Sequence, residues 1–379
     1  MDRILNGPTS ETWIDPWLKY LRAQDGRGSV KLENRHVHSF EYDPQKGMIT
    51  GVYLKEGSTP EERIVKAPLS ADFYIAALPV EAMTKVLERT VRTTPDILEN
   101  CPPLKLIGKL KVNWMSGIMY YLKTDARMCP GHIVYLNSGW ALTSISQNQF
   151  WKKQVDRYGS GACKGVVSVI ISDWFSARSK QSPLAADRAE TPGVVADQTL
   201  EQIRAHIAAI PEIDLSKDNV VGYFLDPAIV FQKSLKGLMS AQDFLTNAKE
   251  WSPDKTPVFE KKLKEKPKAT VDLWNRAIKQ SKEPLFINTV GSWSHRPTVN
   301  TGISNLFLAS DYVKTNTDLA TMEGANEAAR RAVNAILDAL QSKQRRCKIF
   351  TFQEHPLLAP FRALDKQLFD LGLPRSILR

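Results

Sequence analysis

Asn305-Leu306-Phe307-Leu308-Ala309-Ser310-Asp311 and, after the loop Tyr312 to Thr321, Met322-Glu323-Gly324-Ala325-Asn326-Glu327-Ala328 form the stretch that decides how this 379-residue chain is read. Leu306 to Ala309 are apolar in succession and lead to an acidic residue, the pattern of a short buried strand ending at Asp311. Beyond the loop, Ala325, Ala328, Ala329, Val333, Ile336, Leu337 and Leu340 recur at helical spacing, which predicts a helix from about Glu323. Small residues on its first turns permit a close approach to whatever lies beneath. A helix N-terminus presents unpaired amides and a partial positive charge, and Gly324, with no side chain, lets the backbone come close to a ligand. Each residue alone has a bland explanation: a turn aspartate, a conformational glycine, a glutamate that suits the helix dipole. In this order they make one device.

Working outward, Ala71-Asp72-Phe73-Tyr74-Ile75-Ala76-Ala77-Leu78 is apolar on both faces and predicts a buried strand, ended by Pro79 and followed by a helix through Val86 and Leu87. Before it, Val30-Lys31-Leu32, His36 to Phe40 and Met48 to Leu54 alternate between polar turns such as Asp43-Pro44-Gln45-Lys46-Gly47, which predicts an antiparallel meander. Glu11 to Leu21 reads as a short helix with Asp15 as N-cap and Pro16 at the first position. From about Asn100 to Lys282, strand-like runs (Gly117 to Leu122, Val166 to Ile171) mix with helical ones (Leu200 to Ile207, Ala269 to Trp274). Trp114, Trp140, Trp151, Trp174, Trp251 and Trp274 fall here and fit either a large core or an apolar chamber. The tail from Lys343, basic and then aromatic, is expected to wrap the surface.

Composition narrows the class. A hydrophobic share of 42% and a charged share of 24% are those of a soluble globular enzyme. The sequence has no apolar run of membrane-spanning length and no signal-peptide layout at Met1 to Pro8. Cys101, Cys129, Cys163 and Cys347 form no CxxC pair and the histidines are scattered, so no metal site is expected and a cytoplasmic protein is. The net charge of +10 gathers in clusters such as Lys261 to Lys268, where a glutamate and a proline interrupt and aromatics do not interleave. That cluster reads as a solvated connection, with attraction to a membrane surface as the minority option and no nucleic acid as partner.

Leu308-Ala309-Ser310-Asp311 followed by Asp318 to Ala328 resembles the C-terminal FAD motif of the amine oxidase and phytoene desaturase superfamily, with Ser310 in place of the usual glycine. Ala71 to Pro79 is similar to the strand that passes beside the cofactor in that superfamily. Asn288 to Trp293 with Arg296-Pro297 resembles the segment before its final FAD strand. Asn6 to Glu11, Trp140 to Gln147 and Phe224-Leu225-Asp226-Pro227 look like blocks of the desaturase-like branch that includes hydroxysqualene dehydroxylase. The resemblance implies FAD as cofactor, held by Ala77, Pro79, Trp293, Asp311, Thr321, Met322, Glu323 and Gly324. Asp311 would accept hydrogen bonds from ribityl or sugar hydroxyls, the helix start would face the flavin ring, and Trp293 would either flank the ring or sit in the core. No catalytic acid or base stands out; Asp226 is a weak candidate that a turn explains as well.

The superfamily opens with a strand, GxGxxG and a helix that cradle the pyrophosphate, and neither Gly26-Arg27-Gly28 nor Gly159 to Gly165 has that context. The nucleotide-binding unit is therefore expected to be missing from this chain, through a truncated reading frame, a late start codon or a split gene, the last with a separate chain supplying the unit. The expected fold is α/β (mixed α+β): a partial FAD-binding, Rossmann-like lobe with an antiparallel meander, and a mixed substrate-binding lobe. The expected segments are residues 1–90 and 285–345 for the FAD lobe, 91–284 for the substrate lobe and 346–379 for a surface tail. The expected function is an FAD-dependent dehydrogenase, desaturase or dehydroxylase acting by hydride transfer with flavin N5 on an apolar, isoprenoid small molecule. The alternatives are an amine or amino-acid oxidase, and a non-catalytic remnant or subunit.

Overall fold

The computed structural model describes residues 4–25, 30–56, 63–64, 68–175, 185–210, 212–231, 278–317, 319–351 and 356–373. The chain divides into two units, one built from Met1–Asn34 with Asn113–Leu285 and the other from Arg35–Val112 with Phe286–Arg379. Helix and strand mix in both, in keeping with the α/β expectation.

The first unit is organised by a five-stranded antiparallel sheet in the order Val220–Leu225, Ser116–Leu122, Gly165–Ile171, Leu142–Ser146, Ile133–Val134. Strict alternation in Ser116–Leu122 buries Ile118, Tyr120 and Leu122 on one face. The helix Pro192–Ile207 belongs to the same core, with Val195, Ala196, Leu200 and Ile203 buried. Thr191 caps that helix, its hydroxyl accepting the Val194 N–H at 3.3 Å, and Pro192 fills a first-turn position whose amide would be idle. Tyr120 donates to the Ala196 carbonyl at 2.7 Å, so its buried hydroxyl is satisfied. The other face of the sheet is partly exposed: Met119 and Ile170 are exposed and Tyr121 and Phe224 half-buried, while Val166 and Ile145 are buried. The opening segment is helical as expected, but the coil begins earlier, as a π turn over Ser10–Ile14 that runs into Asp15–Asp25. Asp15 has helical dihedrals (φ −63°, ψ −43°) and is therefore not the cap.

In the second unit, β1 (His36–Asp43) and β2 (Met48–Glu56) pair antiparallel, and β3 (Arg63–Ile64) adds to β2. The reversal is the expected polar turn. The Asp43 carboxylate accepts the amides of Gln45 and Lys46 at 2.9 and 3.1 Å, and Gly47 takes φ +62°. Those bonds, the Lys46 amide first, hold the Asp43 carboxyl below the usual carboxylate range. Val30-Lys31-Leu32 forms no strand; three alternating residues with Leu32 exposed bury too little to recruit a partner.

The strand expected over residues 71–78 shortens to β4 (Tyr74–Ala76), which lies parallel to β5 (Leu306–Leu308) in the register Leu306↔Tyr74, Phe307↔Ile75, Leu308↔Ala76. The far edge of β5 is engaged: Leu308 N–H donates to the Val299 carbonyl at 2.9 Å, and the Thr301 hydroxyl donates to the Leu306 carbonyl at 2.8 Å. Among the described residues no strand pairs with the other edge of β4, and Ile75 is 46% exposed there. The reading of this strand as buried on both faces is thus corrected.

Asn305 ties the layers together. Its side chain exchanges two 2.8 Å hydrogen bonds with the backbone of Ile49, and its carbonyl accepts the Tyr74 N–H at 2.8 Å. Helix α1 (Val80–Thr93) buries Val80, Met83, Val86, Leu87 and Thr90 along one face, and the Thr90 hydroxyl accepts the Phe40 amide of β1 at 3.0 Å. Helix α2 (Met322–Ala339) starts within a residue of the expected position and puts Gly324, Ala328 and Ala332 inward. Val333 and Leu340, expected in its apolar stripe, are exposed. The tail beyond it runs back along α2: Asn334 exchanges two hydrogen bonds with the backbone of Cys347, and Arg346 pairs with Asp338 at 2.7 Å. A further helix, α3 (Ala359–Asp370), follows with no counterpart in the sequence reading.

Candidate functional site

Because β4 and β5 are parallel, their carboxyl ends leave the sheet on the same side, where ligands of open parallel sheets sit. Ala309 N–H still donates to the Ala76 carbonyl at 3.1 Å, so Ala77 and Pro79 leave β4 beside the turn that carries Ser310 and Asp311. Ala77 and Pro79 are exposed, while Asp311 is half-buried and accepts the Ser310 hydroxyl at 3.2 Å.

What fixes that turn is Arg296, which is 1% exposed. Its guanidinium donates to three successive carbonyls, those of Asp311 (2.8 Å), Tyr312 (2.9 Å) and Val313 (2.8 Å). A guanidinium presents its donors in a rigid planar fork that suits this arrangement better than the compact ammonium of lysine. The guanidinium also lies 5.4 Å from the Phe286 ring and 5.5 Å from the Trp293 ring. The Tyr312 side chain is fully buried and its hydroxyl has no hydrogen-bond partner among the described residues. Burial, and then the neighbouring Asp311 carboxylate, push that phenol well above its ordinary pKa.

The start of α2 is built by its own sequence. Thr321 is the N-cap, its hydroxyl accepting the Gly324 N–H at 3.2 Å. The helix geometry leaves the amides of Met322 and Glu323 without intrahelical acceptors. A Cβ on Gly324 would stand 2.7 Å from the Leu319 carbonyl, so the loop itself fills the space that glycine leaves. The Thr315 hydroxyl lies 3.6 Å from that same position and is a second buried polar atom without a partner among the described residues. The loop is pinned to the helix where the Asn316 amide donates to Glu327 at 3.0 Å; Arg331 holds the same carboxylate at 2.7 Å.

The expected site residues therefore fall into groups: Ala77, Pro79 and Asp311 at the strand ends, and Thr321, Met322, Glu323 and Gly324 at the helix start. Both belong to one unit, joined by the loop from Tyr312. Trp293 is exposed in the short helix Ser292–His295, its ring 5.5 Å from the Arg296 guanidinium that holds the Asp311 turn. It lines an open groove of about 650 Å³ with Lys314, Thr315, Asn316 and Asn334, beside the middle of α2. Arg296, Tyr312 and Thr315 were not singled out as site residues from the sequence; only the Arg296-Pro297 pair carried any signal. Asp226 serves a turn, accepting the Ala228 amide at 2.9 Å. Trp140 and Trp174 are core residues, whereas Trp251, Trp274, the helical run Ala269 to Trp274 and the basic cluster Lys261 to Lys268 lie outside the described residues.

Among the described residues no group of three or more His, Cys, Asp or Glu could hold a metal ion, and no helix is long and apolar enough to cross a membrane. No curated protein matches the chain. The family model described as flavin containing amine oxidoreductase does match, over residues 249–337, a stretch that includes Arg296, β5, Asp311, Thr315 and the start of α2. Over that stretch the chain is similar to the flavin containing amine oxidoreductases, which supports a flavin-dependent oxidoreductase as its class.

Proposed function

We propose that the chain works as an FAD-dependent oxidoreductase (a dehydrogenase, desaturase or dehydroxylase) on an apolar, isoprenoid substrate, with hydride passing to flavin N5. The observation that carries the cofactor is the pair of features in the family-matched stretch: a helix start with idle amides, and beside it the partnerless Thr315 hydroxyl. Buried polar atoms are normally satisfied, so a ligand with acceptor atoms fits here.

Asp311 would accept hydrogen bonds from ribityl hydroxyls, Arg296 would hold its turn, and Thr315 with the Met322 and Glu323 amides would face the pyrimidine edge of the ring. A bound flavin would supply hydride acceptance and carry negative charge on that edge when reduced. The N-terminal end of α2 offers preorganised positive potential for such charge. Gly324 contributes by admitting the Leu319 carbonyl and so closing the loop, and its own amide is taken by Thr321.

For the substrate, one face of the five-stranded sheet supports an apolar molecule: Met119, Tyr121, Ile170 and Phe224 present apolar surface there. An amine substrate is the second reading, favoured by the family description. For the phosphate end, the open edge of β4 supports a separate chain supplying the nucleotide-binding unit. Isolated parallel pairs are unusual, since parallel sheets are normally covered and continued.

The test is flavin content after expression of the chain alone and together with the upstream coding region. The expected result is a yellow co-expressed protein that is bleached anaerobically by an isoprenoid substrate and not by amines. Bleaching by amines alone would select the second reading. A colourless protein in both preparations, unresponsive to added FAD, would overturn the flavin assignment.

A further inference from the structure

Helix α3 owes its existence to local signals. Pro360 sits in its first turn, and it closes on Gly372 at φ +68°, with Gly372 N–H donating to the Phe369 carbonyl at 3.0 Å and Leu373 N–H to Leu368 at 2.9 Å. That pair of bonds is a Schellman stop, with Leu368 and Leu373 as its usual apolar partners. Phe361, Leu364, Leu368 and Leu371 follow the i, i+3, i+7, i+10 spacing of a single stripe. Yet no residue of α3 is buried: Phe361 is 48% exposed and Leu371 is 72% exposed. A helix closed by its own stop signal, with its apolar stripe exposed, is shaped for a surface that the described residues do not provide.

Charge selects that surface. On α3, Arg362 and Lys366 are balanced by Asp365 and Asp370. The preceding run Lys343-Gln344-Arg345-Arg346-Cys347-Lys348 carries four cations and no acidic residue. Arg346 is engaged by Asp338, and Lys348 lies 4.9 Å from the Phe350 ring; Lys343, Arg345 and Lys348 remain exposed. Basic residues flanking an amphipathic helix rich in Leu and Phe are the chemistry of an anionic bilayer interface. We infer that α3 and the basic run before it dock the protein peripherally on anionic lipid, the apolar stripe lying among the acyl chains and Lys343, Arg345 and Lys348 meeting the headgroups. The inference stands independently of the flavin reading.

The experiment is co-sedimentation of the full chain with vesicles of phosphatidylcholine alone or with about 30% phosphatidylserine. Binding is expected to be at least ~10-fold stronger to the anionic vesicles, and to weaken as salt rises from about 0.1 M to 1 M. Phe361→Glu with Leu364→Glu should cut binding ~10-fold or more on both vesicle types. Lys343→Gln with Arg345→Gln and Lys348→Gln should remove the preference for phosphatidylserine while leaving residual apolar binding. These side chains are exposed, so thermal unfolding should be unchanged, and a variant that still melts like the parent makes its result decisive. Should the parent fail to sediment with anionic vesicles, or the Phe361→Glu, Leu364→Glu protein bind as well as the parent, the inference is overturned. A parent dimer that this variant dissociates, without vesicle binding, would equally overturn it and assign the stripe to a second copy.

Discussion

The five-stranded antiparallel sheet and the β4–β5 pair solve the same problem to different degrees. In the first, alternation along Ser116–Leu122 directs one set of side chains to a helix that the same unit supplies, and Tyr120 is both buried and hydrogen-bonded. In the second, a parallel pair has one edge engaged by Val299 and Thr301, and among the described residues no strand pairs with the other edge, at β4. Around that pair the unit relies on polar staples, Asn305 and Arg296, that bind backbone. The first unit is held chiefly by apolar burial; the second holds its candidate site chiefly by a few buried hydrogen-bonding side chains.

The hardest test of that contrast is Arg296→Ala. Removing a buried cation from three carbonyls should cost about 3–5 kcal/mol and release the Asp311 turn, read by denaturant unfolding. Arg296→Lys should recover little of it, because a compact ammonium suits the three carbonyls less well than the planar fork. Recovery by lysine would mean the turn is held by its packing. In the first unit, Leu122→Ala should cost about 3 kcal/mol by cavity formation. A much smaller cost would show that its core is no tighter than that of the other. Asn305→Ala should cost about 2 kcal/mol through the lost pair to Ile49, and exchange at the Ile49 amide should rise in deuterium exchange. Gly324→Ala should cost about 1 kcal/mol despite alanine's better helix propensity, since its Cβ meets the Leu319 carbonyl. A stabilised variant would show that the loop yields.

The smallest effect is one of pH. Burial raises the phenols of Tyr312 in one unit and of Tyr120 and Tyr223 in the other. A raised folded-state pKa means that the unfolded chain gives up the proton first. The stability is therefore whole below about pH 10 and falls as pH rises beyond it. Tyr312→Phe should flatten that fall for the second unit alone in urea midpoints followed from neutral to alkaline pH.

Much of this was legible in the sequence. The strand at Leu306, the helix from Met322 and the turn at Asp43 follow from periodicity and turn chemistry within a dozen residues. The opening of β4 was not: Ile75 reads as buried because an apolar run cannot say whether a neighbour is present. Nor were Arg296 and Asn305, whose partners are main-chain groups, in the case of Ile49 far away along the chain. Helix α3 was missed because its tail was read by charge and aromatic content, although Pro360 and Gly372 mark its two ends.

Arg296 grips three carbonyl oxygens of the turn it holds. Such a grip is blind to residue identity. The path of the backbone through Asp311, Tyr312 and Val313 is thus specified from outside by Arg296, while the buried Tyr312 and Val313 side chains anchor it in the core and Asp311 alone is half-buried. Exchanging the half-buried Asp311 side chain would therefore leave the grip on its carbonyl in place, so the shape of the turn and the chemistry at that position are separable.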